Sequence, residues 1–248
     1  MTPTQTEIHK WSAEEFTRLV FASKPKVAVF DCDGTLWSGD AGYGFMAWSL
    51  EKGLVSRSTN DWIDTRYRAY KAGSVSELMI CGDMVQMYAG LRDEELRTAA
   101  AEYVNEFVRA RIFVEMLALV GSLRQAGVEL WAVSSTNRWV VAEGLRDFGI
   151  PKELILAADV QVKGGIITSE IIDVPTDEAK AAALKRVGLP APDAVFGNSI
   201  HDLAMLDIAR NAFPVNPSPA LLEAAAKRGW GYFRPESAEG VEAAVAGE

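Results

Sequence analysis

Asp31 and Asp33 stand two residues apart, directly behind the apolar run Val27-Ala-Val-Phe30. In an extended backbone, residues i and i+2 project to the same side, so both carboxylates can face one site. Like charges held that close and shielded from water repel by several kcal/mol, and a divalent cation or a shared proton would offset them. Gly34 permits a tight turn after the pair, and Thr35 brings a hydroxyl and a backbone N–H to the same point. Farther along the chain come a run of small polar residues, Ser134-Ser-Thr-Asn137, then Lys180, then Gly197-Asn-Ser-Ile-His-Asp202. Asn198 and Asp202 offer hard oxygen atoms of the kind that bind Mg²⁺ or Ca²⁺. A carboxylate nucleophile, a second acid, a hydroxyl, an ammonium and a distal carboxylate together suit phosphoryl transfer.

These groups need elements that bring them to one place. Val27–Phe30 reads as a buried strand, and residues 128–133 and 194–196 read as two more, each ending just before one of the polar groups. Residues 115–126, 138–147 and 177–187 read as helices, the last capped by Thr176, and residues 154–162 and 166–174 as a hairpin about Lys163-Gly-Gly165. Residues 212–215 are a further strand candidate, followed by a helix after Pro219 and an aromatic tail at Trp230-Gly-Tyr-Phe233. Ser12-Ala-Glu-Glu15 and Ser74-Val-Ser-Glu77 have the spacing of capping boxes. Strands alternating with helices imply an α/β fold with a doubly wound parallel sheet, whose ligands sit at the carboxyl ends of the strands. Residues 40–111 lose strand character and read as helices inserted beside that edge, like a lid. The expected division is a core of residues 1–39 and 112–248 and a helical cap of residues 40–111.

Composition narrows the partners. The 248 residues are 49% hydrophobic and 24% charged, as in an ordinary globular protein, and carry a formal charge of −9. That sign argues against nucleic acid or an anionic membrane surface as the main partner. A small anionic substrate remains compatible with it, since a metal and one or two basic groups invert the local field. The segment Met1-Thr-Pro-Thr-Gln-Thr-Glu-Ile-His9 has neither the basic start nor the apolar centre of a signal peptide, and no apolar run is long enough to span a bilayer. Two cysteines only, Cys32 within the acidic turn and Cys81, fit a reducing, cytoplasmic setting. Cys32 is expected to point away from its two Asp neighbours into the core, His201 to pack or face solvent, and His9 to have no role in the site.

Asp31-Cys-Asp-Gly-Thr35, Ser134, Lys180 and Gly197-Asn-Ser-Ile-His-Asp202 occur in the order and context of four motifs of the haloacid dehalogenase superfamily, which this sequence resembles from about Lys26 to Phe233. The long helical insertion after the first motif is similar to the branch that includes phosphoserine and phosphocholine phosphatases. The resemblance implies a Rossmann-like core with an all-helical cap, and hydrolysis of a small phosphomonoester. It implies that Asp31 attacks phosphorus and becomes an aspartyl-phosphate. It further implies that Asp33 protonates the leaving alkoxide and then activates water, that Ser134 or Ser135 binds a phosphoryl oxygen, and that Lys180 neutralises charge beside Asp31. Mg²⁺ would be held by Asp31, the Asp33 backbone carbonyl, Asn198 and Asp202. Asn198 departs from the Asp of many relatives and removes one negative charge from that set.

Asp40, nine residues after Asp31, matches the acidic position that holds the substrate amine in phosphoserine phosphatases. Trp37, Tyr43, Phe45 and Trp48 crowd the same segment, and aromatic faces attract alkylammonium groups. With Ser135 and Asn137 at the second strand end, these residues point to an amine-bearing substrate such as phosphocholine, phosphoethanolamine or phosphoserine. Arg57, Arg66 and Arg68 are candidates to grip a carboxylate. Two other readings stay open. Phosphonate cleavage would require a cap lysine, Lys52 or Lys71, to form a Schiff base. A non-catalytic binding module would retain the fold alone.

Overall fold

A computed structural model of the chain describes residues 8–238. Most of the segment read as lacking a signal peptide lies outside the described residues. The elements, in order, are β1 (Lys10–Trp11), α1 (Ala13–Ala22), β2 (Val27–Phe30), α2 (Ala41–Glu51), α3 (Arg57–Lys71), α4 (Glu77–Gln86), α5 (Asp93–Tyr103), α6 (Val114–Gln125), β3 (Glu129–Asn137), α7 (Arg138–Gly144), β4 (Ile155–Lys163), β5 (Ile166–Asp173), α8 (Glu178–Arg186), β6 (Ala194–Gly197), α9 (Leu203–Asp207), β7 (Ala212–Pro214), α10 (Pro219–Arg228) and β8 (Tyr232–Phe233).

Six strands form one sheet in the order β5-β4-β3-β2-β6-β7. All neighbours are parallel except β4 and β5, which make the antiparallel hairpin that Gly164 and Gly165 signal in the sequence. The fold is the expected α/β class. Its strand order reverses about β2, which pairs with β3 on one side and β6 on the other. A crevice opens at such a reversal because the connections leave in opposite directions. Alternation along β2 sends Ala28 and Phe30 to one face and Val29 to the other. The first face packs on Phe16 and Val20 of α1, the second on Leu184, Leu206 and Leu221 of α8, α9 and α10. Phe30 stacks on Phe196 at 4.4 Å, and full burial of each such ring contributes about 1.5–3 kcal/mol.

Several local expectations shift. β3 continues through Ser134–Asn137, which the sequence suggests as a turn, and its register with β4 slips there. Within residues 40–111, read as helical, α5 stops at Tyr103 and the chain passes through a π-helical turn, Val104–Val108. The aromatic tail supplies β8, which pairs with β1 in a separate two-stranded sheet. Thr176 does not cap α8; Asp177 occupies the N-cap position at φ 49° without a side-chain capping bond. Phe45, expected near a substrate, packs at 5.4–5.8 Å against Trp48, Tyr88 and Tyr103 inside the inserted helices. Among the described residues no helix is long and apolar enough to cross a membrane.

Candidate active site

Asp31 leaves the carboxyl end of β2 with its amide bonded to the Phe196 carbonyl of β6 at 2.9 Å, so two central strands fix its position. Its carboxylate is 5% exposed in a small opening at the sheet edge. Thr35 Oγ1 donates to Oδ2 at 2.9 Å and Lys180 Nζ to Oδ1 at 2.7 Å. The same ammonium donates to Asp202 Oδ1 at 2.6 Å and to the Val133 carbonyl at 3.3 Å. All three of its N–H donors are therefore satisfied, which permits a lysine to be fully buried.

Charge in this cluster does not balance: two carboxylates flank one ammonium. Burial and the Asp202 charge push the Asp31 carboxyl up to about 7 against the pull of Lys180. Burial works against the Lys180 ammonium too, but Asp202 and Asp31 outweigh it and hold its pKa above the ordinary lysine range. Asp202 is fully buried, and its second oxygen accepts the backbone N–H groups of Asn198 and Ser199, each at 2.9 Å. Both its oxygens are thus occupied, and Asp202 does not line the cavity. In this arrangement it pairs with Lys180 and adds negative charge behind Asp31.

Asp33 turns the other way. Oδ1 accepts from Trp37 Nε1 at 2.7 Å and from the Ala41 N–H at 2.8 Å, and Oδ2 from Thr136 Oγ1 at 2.6 Å. Burial raises its pKa while these three donors hold it partly down. Trp37 is itself fully buried in the core and outside the cavity, so it acts on the site through its N–H and not as an aromatic wall. Tyr43 is 40% exposed and stacks on Tyr67 at 4.6 Å; it does not line the cavity either.

One cavity of about 240 Å³ is lined by Asp31, Asp33, Asp40, Ser134, Lys180 and Asn198. Ser135 and Asn137 also line it. Ser134 Oγ accepts from the Thr136 N–H at 3.2 Å, and Asn137 Oδ1 accepts from the Val140 N–H at 3.1 Å as the N-cap of α7. Gly34, at φ 75°, lies under the Asn198 amide, where a Cβ would come within 1.8 Å of Nδ2. Asp40 faces the cavity at the N-cap of α2, accepting from the Tyr43 N–H at 2.8 Å. The protein mass around the cavity and the nearby Asp33 charge push its carboxyl up to about 6.

Sequence reasoning misses several groups here. Thr136 was legible only as one polar residue among four, and Tyr67, Tyr70 and Glu77 reach the cavity from the inserted helices through tertiary packing alone; Lys71, one of the two cap lysines named from sequence, lines it as well. His201, expected to pack or face solvent, lines the cavity and hydrogen-bonds Asp177 Oδ1 through Nδ1 at 2.7 Å. Cys32 lies in the core, as its place between the two Asp residues implies, and burial pushes its thiol up. Arg57, Arg66 and Arg68 do not line the cavity; Arg66 pairs with Asp83 at 2.6 Å and Arg68 with Asp64.

The donor set fits Mg²⁺. The buried cluster of Asp31, Asp202 and Lys180 is one positive charge short, and Asp31, the Asp33 carbonyl and the Asn198 amide are hard oxygen donors of the type it prefers. Among the described residues no three acidic, histidine or cysteine side chains converge as a ready-made cage. Mg²⁺ commonly keeps several waters, so a sparse protein shell suits it.

Comparison with known proteins places this geometry. A histidinol-phosphatase of Neisseria meningitidis serogroup C (strain 8013) is 25% identical over 215 residues, covering 82% of this chain and 96% of that protein. A phosphoserine phosphatase of Halobacterium salinarum is 25% identical over 201 residues, covering 79% of this chain and 88% of that one. A solved structure of a protein of unknown function from Bordetella pertussis Tohama I superposes with a TM-score of 0.73 at 25% identity, over 84% of this chain and 97% of its own. The family model of haloacid dehalogenase-like hydrolases matches residues 28–207, most of the sequence, and the chain belongs to that family.

Proposed function

We propose that this protein is a Mg²⁺-dependent phosphatase acting on a small, amine-bearing phosphomonoester through an aspartyl-phosphate on Asp31. The observation that carries this reading is the placement of Asp31, aligned by Thr35 and Lys180, beside Asp33 at the floor of one cavity. Asp31 attacks phosphorus in line with the departing alkoxide. Lys180 neutralises charge that grows on the nucleophile and the transferring group, and Ser134 or Ser135 donates to a phosphoryl oxygen. Asp33, whose pKa burial raises, gives a proton to the leaving oxygen. In the second half-reaction the same group removes a proton from the water that attacks the phosphorus of the intermediate. When bound at Asp31, the Asp33 carbonyl and Asn198, Mg²⁺ supplies electrophilic stabilisation of the phosphoryl oxygens.

The helices of residues 40–111 act as a cap that excludes macromolecules and water. Asp40, on that cap, supports an amine on the leaving group. Both relatives act, by name, on phosphomonoesters that carry a primary amine, histidinol phosphate and phosphoserine. Turnover of a panel of metabolite phosphates by the purified protein, with Mg²⁺ and with chelator, tests the reading. Mg²⁺-dependent phosphate release supports it; no release from any ester, or full release in excess chelator, contradicts it.

One observation favours a second reading. Lys71 lines the cavity, where a phosphonate-cleaving enzyme would use it to form a Schiff base. Its ammonium, however, lies 5.3 Å from the Tyr67 ring centroid and 5.7 Å from that of Tyr70, so its position is already taken up by contacts with two rings of its own helix. Borohydride trapping of a carbonyl substrate on Lys71 would establish it.

A further inference from the structure

The spacing of Ser74-Val-Ser-Glu77 suggests a box in which the Glu77 carboxylate reaches back to cap its own helix. In the structure α4 begins two residues later than that box requires. Ser76 is the N-cap, with Oγ accepting the Met79 N–H at 3.3 Å, and Ser74 instead donates to the Ala69 carbonyl. Glu77 becomes the first residue of α4, and its side chain is released to line the cavity. Oε1 accepts from Cys81 Sγ at 3.5 Å, and the Tyr70 hydroxyl lies close enough for this carboxylate to raise its pKa. Oε2 is buried and has no hydrogen-bond partner among the described residues. A buried acceptor without a donor is costly and rare in a native protein. The terminal torsion of a glutamate side chain is soft, so Oε2 can turn toward a donor arriving in the cavity.

The cavity wall around Glu77 sets the kind of donor. Asp40 is close enough that the Glu77 charge helps to raise its pKa, so two acids share this wall. None of the arginines of α3 lines it, and the Tyr67 and Tyr70 rings are both already engaged by the Lys71 ammonium. Apolar Ile80, Met84 and Val85 complete the lining and suit a short carbon chain.

We propose, resting on the phosphatase reading above, that Glu77 is a specificity-determining residue which with Asp40 brackets a primary ammonium on the leaving group. A primary ammonium has three N–H donors and satisfies both carboxylates at once. A trimethylammonium has none, and would need aromatic faces that Lys71 occupies. The preferred substrate is therefore the phosphomonoester of a primary amino alcohol, not of a quaternary one.

The test compares kcat/KM of wild type, Glu77→Gln, Asp40→Asn and the double variant on phosphoethanolamine, phosphocholine and ethyl phosphate, with Mg²⁺. Wild type should prefer phosphoethanolamine to phosphocholine. Glu77→Gln should lower the ratio of phosphoethanolamine to ethyl phosphate by about tenfold or more, chiefly through KM, as expected for a lost charge-assisted contact. The ratio of phosphocholine to ethyl phosphate should move much less. The double variant should lose less than the product of the single losses, because both acids hold one cation. Glu77→Asp, which keeps the charge but withdraws it, should fall between wild type and Glu77→Gln, and all variants should unfold at similar temperatures. An unchanged ratio in Glu77→Gln, an equal loss on all three esters, or a wild-type preference for phosphocholine overturns the proposal. Wild type inert toward these esters and toward p-nitrophenyl phosphate overturns the phosphatase reading and this one with it; turnover without amine preference overturns this one alone.

Discussion

Trp37 donates its indole N–H to Asp33 Oδ1 across 2.7 Å, so a fully buried core residue orients an acid that faces the cavity. The bond also favours the ionised carboxylate. Trp37→Phe removes the donor, raises the Asp33 pKa and leaves the acid less well aimed. The descending limb of the kcat/KM profile, which reports the group that must hold a proton, should move to higher pH. The rate on an alkyl phosphate should fall about tenfold, as for loss of a hydrogen bond to a charged group. An activated aryl phosphate, whose leaving group needs little protonation, should lose less. A pH profile in the same place as wild type, with equal losses on both esters, would show that Trp37 only packs.

Much of this site was legible because it is local. The apolar strand, the two carboxylates at i and i+2 and the turn at Gly34 lie within one short segment, and Lys163-Gly-Gly165 announces its hairpin by composition. Trp37 and Tyr43 were not readable in the same way. Their spacing on an aromatic segment suits a binding wall as well as a core, and only the packing of α2 on its neighbours decides between them. Asp202 shows the same limit. Its type suggests a metal ligand, and its pairing with Lys180, 22 residues earlier in the chain, forms only once α8 packs beside α9. Asp177 takes the N-cap position at φ 49° and bonds His201, a contact between distant parts of the chain that the local Thr176 cap signal does not carry.

Lys180 holds two buried carboxylates apart. Lys180→Met would leave Asp31 and Asp202 without their shared cation, at a cost of about 3–5 kcal/mol near neutral pH. The sign of the pH dependence follows from the acids. Burial already lifts the Asp31 pKa above its unfolded value and loss of Lys180 lifts it further, so the penalty is present above the unfolded value and vanishes as pH falls and Asp31 protonates. Thermal unfolding of wild type and variant should differ most near pH 7 and converge toward pH 4. A gap that stays constant across that range would place the loss in packing.

Asp40 titrates inside the working range. Its carboxyl is raised to about 6 by its surroundings and by the Asp33 charge, so it is ionised at pH 7 and largely protonated at pH 5. An ammonium loses its attraction as that proton is added. The kcat/KM ratio of phosphoethanolamine to ethyl phosphate, each referred to its own phosphate dianion, should therefore fall as pH drops from 7 to 5, a comparison that cancels the ionisation of Asp31. The fall should reach about tenfold or more, and Asp40→Asn should flatten it. A ratio independent of pH in wild type would remove Asp40 from amine binding.

If Asp31 is the nucleophile it becomes covalently phosphorylated, and acid quenching during turnover of a ³²P-labelled substrate captures that intermediate. The label should be found on the peptide containing Asp31, should be released by hydroxylamine as an acyl phosphate is, and should be absent from Asp31→Asn, which should not turn over. Label on Ser134 or His201, or steady turnover with no labelled protein and an active Asp31→Asn, would contradict the account.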